Sequence, residues 1–317
     1  MPQAIYYHAH DVAQASGGVA ALYEHVGALR RAGLAAYILH SQPGFVPNWL
    51  SVDVPIRYAH GDFRPEPNDF IVIPEDFSWA VQRFAAIPCR RVIFCQNQFY
   101  AATALASIGD WRNFGIEAVI ASTVTVRDFL ALAGWPDAPL VPYAIDGERF
   151  QPRQKTLQIA YMPRKRPVDA AMIRFLFPRM YPEFADVPWI ELDGLHHDAI
   201  AEELGRTAVF LTLGQNESMG LPALEAMATG ALVTGFHGDG DLGLPEARQS
   251  GLWVDRVDDA LTALGSLVQW VRDGDPRAEQ QREAAYDYVG SYTPRARDEA
   301  LLKAWSAMIE VRTSSVT

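Results

Sequence analysis

The chain has 317 residues, 49% of them hydrophobic and 21% charged, with a formal net charge of −11. This length is comfortable for two domains of about 150 residues, and the composition is that of an ordinary soluble globular protein. The acidic balance excludes a general nucleic-acid partner, because binding a phosphate backbone requires a basic face.

The opening "MPQAIYYHAHD" shows no basic segment followed by an apolar one, so no signal peptide is expected. Within it "AIYYHAH" reads as a strand. "GGVAALYEHVGALRRAG" follows as a helix with Val19, Leu22, Val26 and Leu29 on one stripe and Gly33 just past its end. "AAYILH", "DFIVIP", "RVIFCQ" and "EAVIAS" read as further strands, too apolar to leave one face wet. Continuous apolar runs of this kind suit a parallel sheet covered on both sides by helices. Phe77 to Ala86 and Val124 to Ala133 are candidate intervening helices. Cys89 and Cys95, on either side of "RRVIF", have neither metal-site spacing nor enough company for a disulfide framework, and are expected to be reduced.

The character changes at "GWPDAPLVPYAIDGERFQPRQK", residues 134–155, where four prolines and an Asp-Gly pair mark a linker. Beyond it the alternation restarts with "LQIAY", a helix through "DAAMIRFLFPRMY", "PWIEL", a helix through "DAIAEELGR", "AVFLTL" and "ALVTGF". Pro178 is expected to end or kink the first of those helices early. The tail "TPRARDEALLKAWSAMIEV" is a further helical pattern with Leu301, Leu302, Trp305, Met308 and Ile309 near one face, suited to packing on the body. No apolar run approaches the roughly 18 residues needed to span a bilayer, so a cytoplasmic protein without a transmembrane segment is the expectation.

One stretch carries more chemistry than a structural helix needs: "GQNESMGLPALEAMATG", after the strand "AVFLTL". The spacing predicts a loop from Gly214 to Ser218 and a helix from near Met219 to Thr229, closed by Gly230. Ligands of open parallel sheets bind at the carboxyl ends of strands, and a helix start favours phosphate. Gly220 permits close approach, and Pro222 suits the first turn. Glu217 then lies in the loop and Glu225 about one and a half turns into the helix. Two carboxylates so placed suit two different sets of hydroxyls on one extended ligand. They equally fit a plain helix start with a favourable acid before it.

This segment resembles the E-x7-E signature of retaining glycosyltransferases with the GT-B fold, a family-4-like group that uses nucleotide-diphosphate sugars. "SGGVAALYEHVGALRRAGLAAYIL" is similar to the family's first loop and helix, with the pair Gly17 and Gly18 facing the donor phosphates. "AVIASTVTVRDFLALAG" and "LVPYAIDGERFQP" resemble the entry to the interdomain linker, and "GALVTGFHGDGDLG" the strand and glycine-rich loop after the signature. These likenesses are in the family's order and span residues 16 to about 243. The resemblance implies an α/β GT-B fold, two Rossmann-like domains facing across a cleft. An acceptor-side domain would occupy residues 1–146, with a C-terminal helix of about 294–312 packing back on it, and a nucleotide-sugar-binding domain residues 147–293.

Carried over residue by residue, the resemblance puts ribose hydroxyls on Glu225, hydroxyls of the transferred sugar on Glu217, and sugar and diphosphate against the backbone of Met219, Gly220 and Leu221. It places an arginine and a lysine on the diphosphate, at "YMPRKR": Arg164, with Lys165 or Arg166 as companion. The charge pattern agrees, since Arg153, Lys155, Arg164, Lys165 and Arg166 have no acid among them between Glu148 and Asp169. A guanidinium grips phosphate oxygens in pairs and stabilises charge on a leaving diphosphate.

Where many relatives carry a histidine, this chain has Gln96 and Asn97, and an amide cannot accept a proton near neutral pH. In the retaining mechanism discussed for the family the leaving phosphate can take that proton, and His8 or His10 could substitute. The remaining patterns are weak. His196, His197 and Asp198 read as a solvated helix start rather than a metal site, and Asp239 and Asp241 as part of a donor-side loop. The expectation is therefore transfer of a sugar from a UDP-, GDP- or other NDP-sugar to a glycan, lipid or small-molecule acceptor, without cofactor or metal. Donor sugar, base, acceptor and oligomeric state stay open. The alternatives are a non-catalytic relative that binds a sugar nucleotide or glycan, and a GT-B sugar-nucleotide epimerase.

Overall fold

The computed structural model describes residues 3–50 and 53–310. The chain divides into two compact units: one runs to Tyr143 and resumes at Arg295, and the other is Ala144–Pro294.

In the first unit, strands β1 (Ala4–His8), β2 (Ala35–His40), β3 (Ile56–Tyr58), β4 (Phe70–Pro74), β5 (Arg90–Cys95) and β6 (Ile116–Ala121) form one parallel sheet in the order β3-β2-β1-β4-β5-β6. The helices are α1 (Gly17–Arg31), α2 (Ser78–Phe84), α3 (Gln98–Ile108) and α4 (Val124–Leu132). Helix α1 begins where the Ser16 hydroxyl accepts the Val19 N–H, and its stripe of Val19, Leu22, Val26 and Leu29 is buried as its spacing requires. All five residues of β4 are buried, which a strand covered on both faces must tolerate. Both cysteines are free and buried.

In the second unit, β7 (Thr156–Tyr161), β8 (Trp189–Glu191), β9 (Thr207–Gly214), β10 (Leu232–His237) and β11 (Leu252–Trp253) form a parallel sheet in the order β11-β10-β9-β7-β8. Its helices are α5 (Pro167–Met180), α6 (His197–Arg206), α7 (Leu221–Ala228), α8 (Val257–Asp273) and α9 (Pro276–Val289). A core built from β7, β9, β10, α5 and α8 includes Ile159, Ile173, Phe177, Leu211 and Leu264, all buried. Pro178 lies inside α5, and the helix runs on to Met180 rather than ending before it. Only the final turn remains beyond the proline, so the lost hydrogen bond falls where a helix frays in any case.

The last helix, α10 (Pro294–Glu310), belongs to the first unit from Arg295 onward. Trp305 is fully buried there and donates its indole N–H to the Tyr7 hydroxyl at 2.9 Å, and the buried Arg297 pairs with Glu24. The expected end of this helix, at about residue 312, lies outside the described residues. No described helix is long and apolar enough to cross a membrane.

Candidate functional site

In an open parallel sheet the loops that leave neighbouring strands in opposite directions open a crevice at the carboxyl edge. The second sheet has such a switch point between β7 and β9, and the two loops beyond it carry Arg164–Arg166 and Glu217. The Lys165 ammonium lies 2.8 Å from Glu217 Oε1 and 3.4 Å from the Gln215 carbonyl oxygen. A lysine and a glutamate that are 52 positions apart in the sequence thus meet because the strands adjoin.

The Glu217 loop is tied to the loop that follows β10. The Glu217 N–H donates to Gly238 O at 2.7 Å, and the Asp241 N–H donates to Ser218 O at 2.8 Å. Among the described residues, the non-glycine positions with positive φ are Asn216 (51°) and Asp239 (67°), one in each of these loops. Such backbone persists only where surrounding structure holds it, and it concentrates at binding sites. A Cβ on Gly240 would overlap the carbonyl oxygens of Glu217 and Ser218. Helix α7 starts at Leu221 rather than near Met219, because Gly220 sits at φ 85°, outside the helical region. Pro222 falls in its first turn, the Met219 side chain is buried, and Gly220 and Leu221 are half-buried.

The basic stretch does not act as one patch. Strand β7 separates Arg153 and Lys155, at its amino end, from the three cations at its carboxyl end. Lys155 donates to the Leu204 carbonyl at 3.2 Å, and burial, with Arg282 nearby, pushes its ammonium down to about 7. Arg166 is held by the Gly214 carbonyl (2.9 Å) and Asp169 (2.8 Å) and stacks over the Phe236 ring, so it braces the loop. Arg164 is exposed and has no hydrogen-bond or ion-pair partner among the described residues. Arg164 is thus the most exposed cation of this edge, while Lys165 and Arg166, with side chains 28% and 27% exposed, each already hold a carboxylate.

Glu225 is buried on α7, and His197, the first residue of α6, reaches it: Nε2 lies 3.2 Å from Glu225 Oε1. His197 Nδ1 lies 3.0 Å from the Arg149 guanidinium, and the Arg149 Nε pairs with Asp198 at 3.2 Å. The sequence motif around His196–Asp198 reads as solvated because neighbouring helix residues diverge. One of them turns inward, and no sequence spacing announces that contact across 28 positions.

The carboxyl edge of the first sheet is built differently. Gly17 and Gly18 form the first turn of α1, where a Cβ on Gly18 would lie 3.4 Å from the Gln96 side-chain amide. Asn97 caps α3, its side-chain oxygen accepting the Phe99 N–H at 2.9 Å, and the Tyr143 hydroxyl donates to Gln96 O at 3.3 Å. The Gln96 N–H donates to the buried Glu75, whose carboxyl is pushed up to about 8 by burial, with the Asp76 charge adding to it. His8 is buried against Ser41 at 3.0 Å and burial pushes it down to about 3, so it is neutral at physiological pH. His10 is partly exposed and pairs with Asp76 at 3.0 Å. The buried His40 donates from Nδ1 to Asp11 at 2.7 Å and accepts from the Tyr23 hydroxyl at 2.7 Å.

No protein-family model matches the chain. Its α/β architecture of two parallel sheets matches solved GT-B glycosyltransferase structures, and the chain has that fold. It is similar over 98% of its length to all of the sucrose-phosphate synthase from Thermosynechococcus elongatus, with a TM-score of 0.69 at 15% identity. It is similar over 96% of its length to 99% of Anabaena HepE in complex with UDP-glucose, with a TM-score of 0.67 at 12% identity. In sequence, the chain is 26% identical over 294 residues to an alpha-1,6-glucosyltransferase of Actinobacillus pleuropneumoniae serotype 7 (strain AP76), covering 88% of this chain and 83% of that protein.

Proposed function

We propose that this chain is a retaining glycosyltransferase that moves a sugar, with glucose from UDP-glucose the first to test, from a nucleotide diphosphate to an acceptor hydroxyl. The observation that carries the reading is the Lys165–Glu217 pair spanning the β7/β9 switch point, with the buried Glu225 on the helix that the same loop feeds. The glucosyltransferase similar in sequence and the HepE complex with UDP-glucose support the donor class.

In this reading, Arg164 and Lys165 take the diphosphate. Arg164 is exposed and Lys165 partly so, and because a guanidinium is more weakly hydrated than an ammonium, Arg164 gives up its water to phosphate the more readily. Lys165 exchanges one acid partner for another: phosphate oxygens displace Glu217, whose carboxylate then accepts hydroxyls of the transferred sugar. Ion pairs open to solvent contribute only about 0–1 kcal/mol, and with 28% of the Lys165 and 24% of the Glu217 side chain exposed, water reaches both partners. The backbone of Met219, Gly220 and Leu221 faces the sugar and diphosphate, and Arg166 keeps the loop in shape. The second unit serves the donor, and the first serves the acceptor. As the sugar–phosphate bond breaks, the cations stabilise the leaving diphosphate, and its oxygen accepts the acceptor's proton. This route asks no proton acceptance of Gln96 or Asn97, which are held in structural hydrogen bonds.

Glu225 receives the ribose hydroxyls. Calorimetric titration of UDP, GDP, ADP and TDP into wild type and Glu225→Ala tests the donor half of the reading. One nucleotide should bind selectively and lose at least tenfold, about 1.4 kcal/mol, in the variant. A folded wild type that binds none of the four refutes it. Acceptor-dependent turnover then separates a transferase from an epimerase, which consumes its substrate with no acceptor present.

A further inference from the structure

The linker motif "IDGERF" does more than join two units. The Asp146 carboxylate accepts the N–H groups of Glu148 (3.0 Å) and Arg149 (3.3 Å), closing a turn that presents Arg149 and Phe150 to His197. The Phe150 ring meets the imidazole edge-on, with centroids 5.3 Å apart. Arg149 can only donate, so His197 Nδ1 accepts at 3.0 Å, and the neutral ring carries its proton on Nε2. That proton points at Glu225 Oε1, 3.2 Å away. One carboxylate oxygen is thereby fixed, and the other, Oε2, has no hydrogen-bond partner among the described residues.

The Glu225 side chain is only 12% exposed. A carboxylate so enclosed is costly without a donor, and without a fixed partner it would sample several rotamers. We propose that His197 is a positioning residue which holds the Glu225 carboxylate for the ribose of the bound nucleotide, with Arg149 setting its tautomer, so that this trio selects ribonucleotides over deoxyribonucleotides. The inference rests on the reading of Glu225 as the ribose-binding group. A vicinal diol offers two hydroxyl donors to one oriented carboxylate, and a 2′-deoxyribose offers one fewer. A site built to bind a hydroxyl discriminates strongly against the analogue that lacks it, because its own polar group is left unpaired.

The test is calorimetry of UDP, GDP and ADP against their 2′-deoxy forms, on wild type, Glu225→Ala, His197→Ala and His197→Gln. Wild type should prefer the ribose form of its nucleotide by tenfold or more, and Glu225→Ala should erase the preference. His197→Ala should shrink it below threefold while the deoxy form binds within twofold of wild type. His197→Gln, whose amide nitrogen still donates near the Nε2 position, should keep most of the preference. If His197→Ala weakens both forms equally, or retains the full preference that Glu225→Ala loses, the positioning role is wrong and the ribose reading survives. A wild type indifferent to the 2′-hydroxyl, or one that binds none of the six nucleotides, overturns the ribose reading and the positioning role together.

Discussion

The two sheets each have one switch point, and each switch point is bridged by an acid–base pair: His10–Asp76 in the first unit and Lys165–Glu217 in the second. Behind the first pair the side chains are buried and neutral. His8 is pushed down and Glu75 pushed up by burial, and amides and hydroxyls satisfy one another. Around the second pair, Arg164 is exposed and Glu225 is buried but held by a histidine. The same parallel topology thus carries one edge with an exposed arginine beside a lysine–glutamate pair, and another whose pair covers a buried, neutral interior. Residue placement in the four loops after β1, β4, β7 and β9 makes the difference, since both sheets are parallel and each has one switch point.

The largest effect should come from removing the acid of the charged edge. Glu217→Ala should lower transferase turnover by a factor of about 10²–10³, typical for a group that contacts the reacting sugar. Affinity for the bare nucleotide should move less than threefold. An equal loss in nucleotide affinity and turnover would mean that Glu217 only shapes the loop, and the contrast with Asp76 would vanish. Asp76→Ala, at the edge of the first sheet, should leave nucleotide affinity unchanged.

A smaller loss is expected from Gly240→Ala. The added Cβ overlaps the Glu217 and Ser218 carbonyls, so the backbone must shift by some tenths of an ångström at the least. Turnover should fall about 10- to 100-fold, as misplacement of a catalytic group by about 1 Å does. Thermal stability should fall as well, because Gly240 is buried together with Ser218, Met219, Asp241 and Leu242. Wild-type turnover in this variant would show that the tie between the two loops does not set the Glu217 position.

Much of this was legible in the chain itself. Runs such as "DFIVIP" and "AVFLTL" announce buried parallel strands, and Gly220–Pro222 announces a helix start, because these are local signals. The short edge strands Ile56–Tyr58 and Leu252–Trp253 were not legible, being three and two residues long and only half-buried. Helix α9 escaped for a different reason: it is polar around most of its circumference and gives no stripe to find. At the site, Glu217, Glu225 and the Arg164–Arg166 run stood out by spacing. The Arg149–His197–Glu225 chain did not, since it joins three elements through side-chain reach alone. Nothing in the sequence separates Glu75 from other acids after a strand, and only its burial does. Conversely, Arg153 and Lys155 looked like part of the basic patch, and an intervening strand carries them to the opposite edge.

A stability measurement probes the buried interior of the first edge. Glu75 is wholly buried, and its carboxyl is raised from 4.5 to about 8, first by desolvation and then by Asp76. A carboxyl whose folded value exceeds its unfolded value stabilises the fold fully below about 4.5, and that contribution disappears as the pH rises toward 8. The buried His8 and His25, both pushed down to about 3, act in the opposite sense: their contribution is present above 6.5 and is lost as the pH falls. Because the two effects overlap, the wild-type profile alone is uninformative, and the difference between wild type and Glu75→Gln isolates the carboxyl. Glutamine mimics the protonated acid, so its loss of one acceptor for the Gln96 or Asn97 N–H is a constant offset. In chemical denaturation at pH 5, 6.5 and 8, Glu75→Gln should gain on wild type by on the order of 1 kcal/mol per pH unit crossed. Parallel stability curves for the two proteins would show that Glu75 ionises freely, and that the first edge is no less charged than the second.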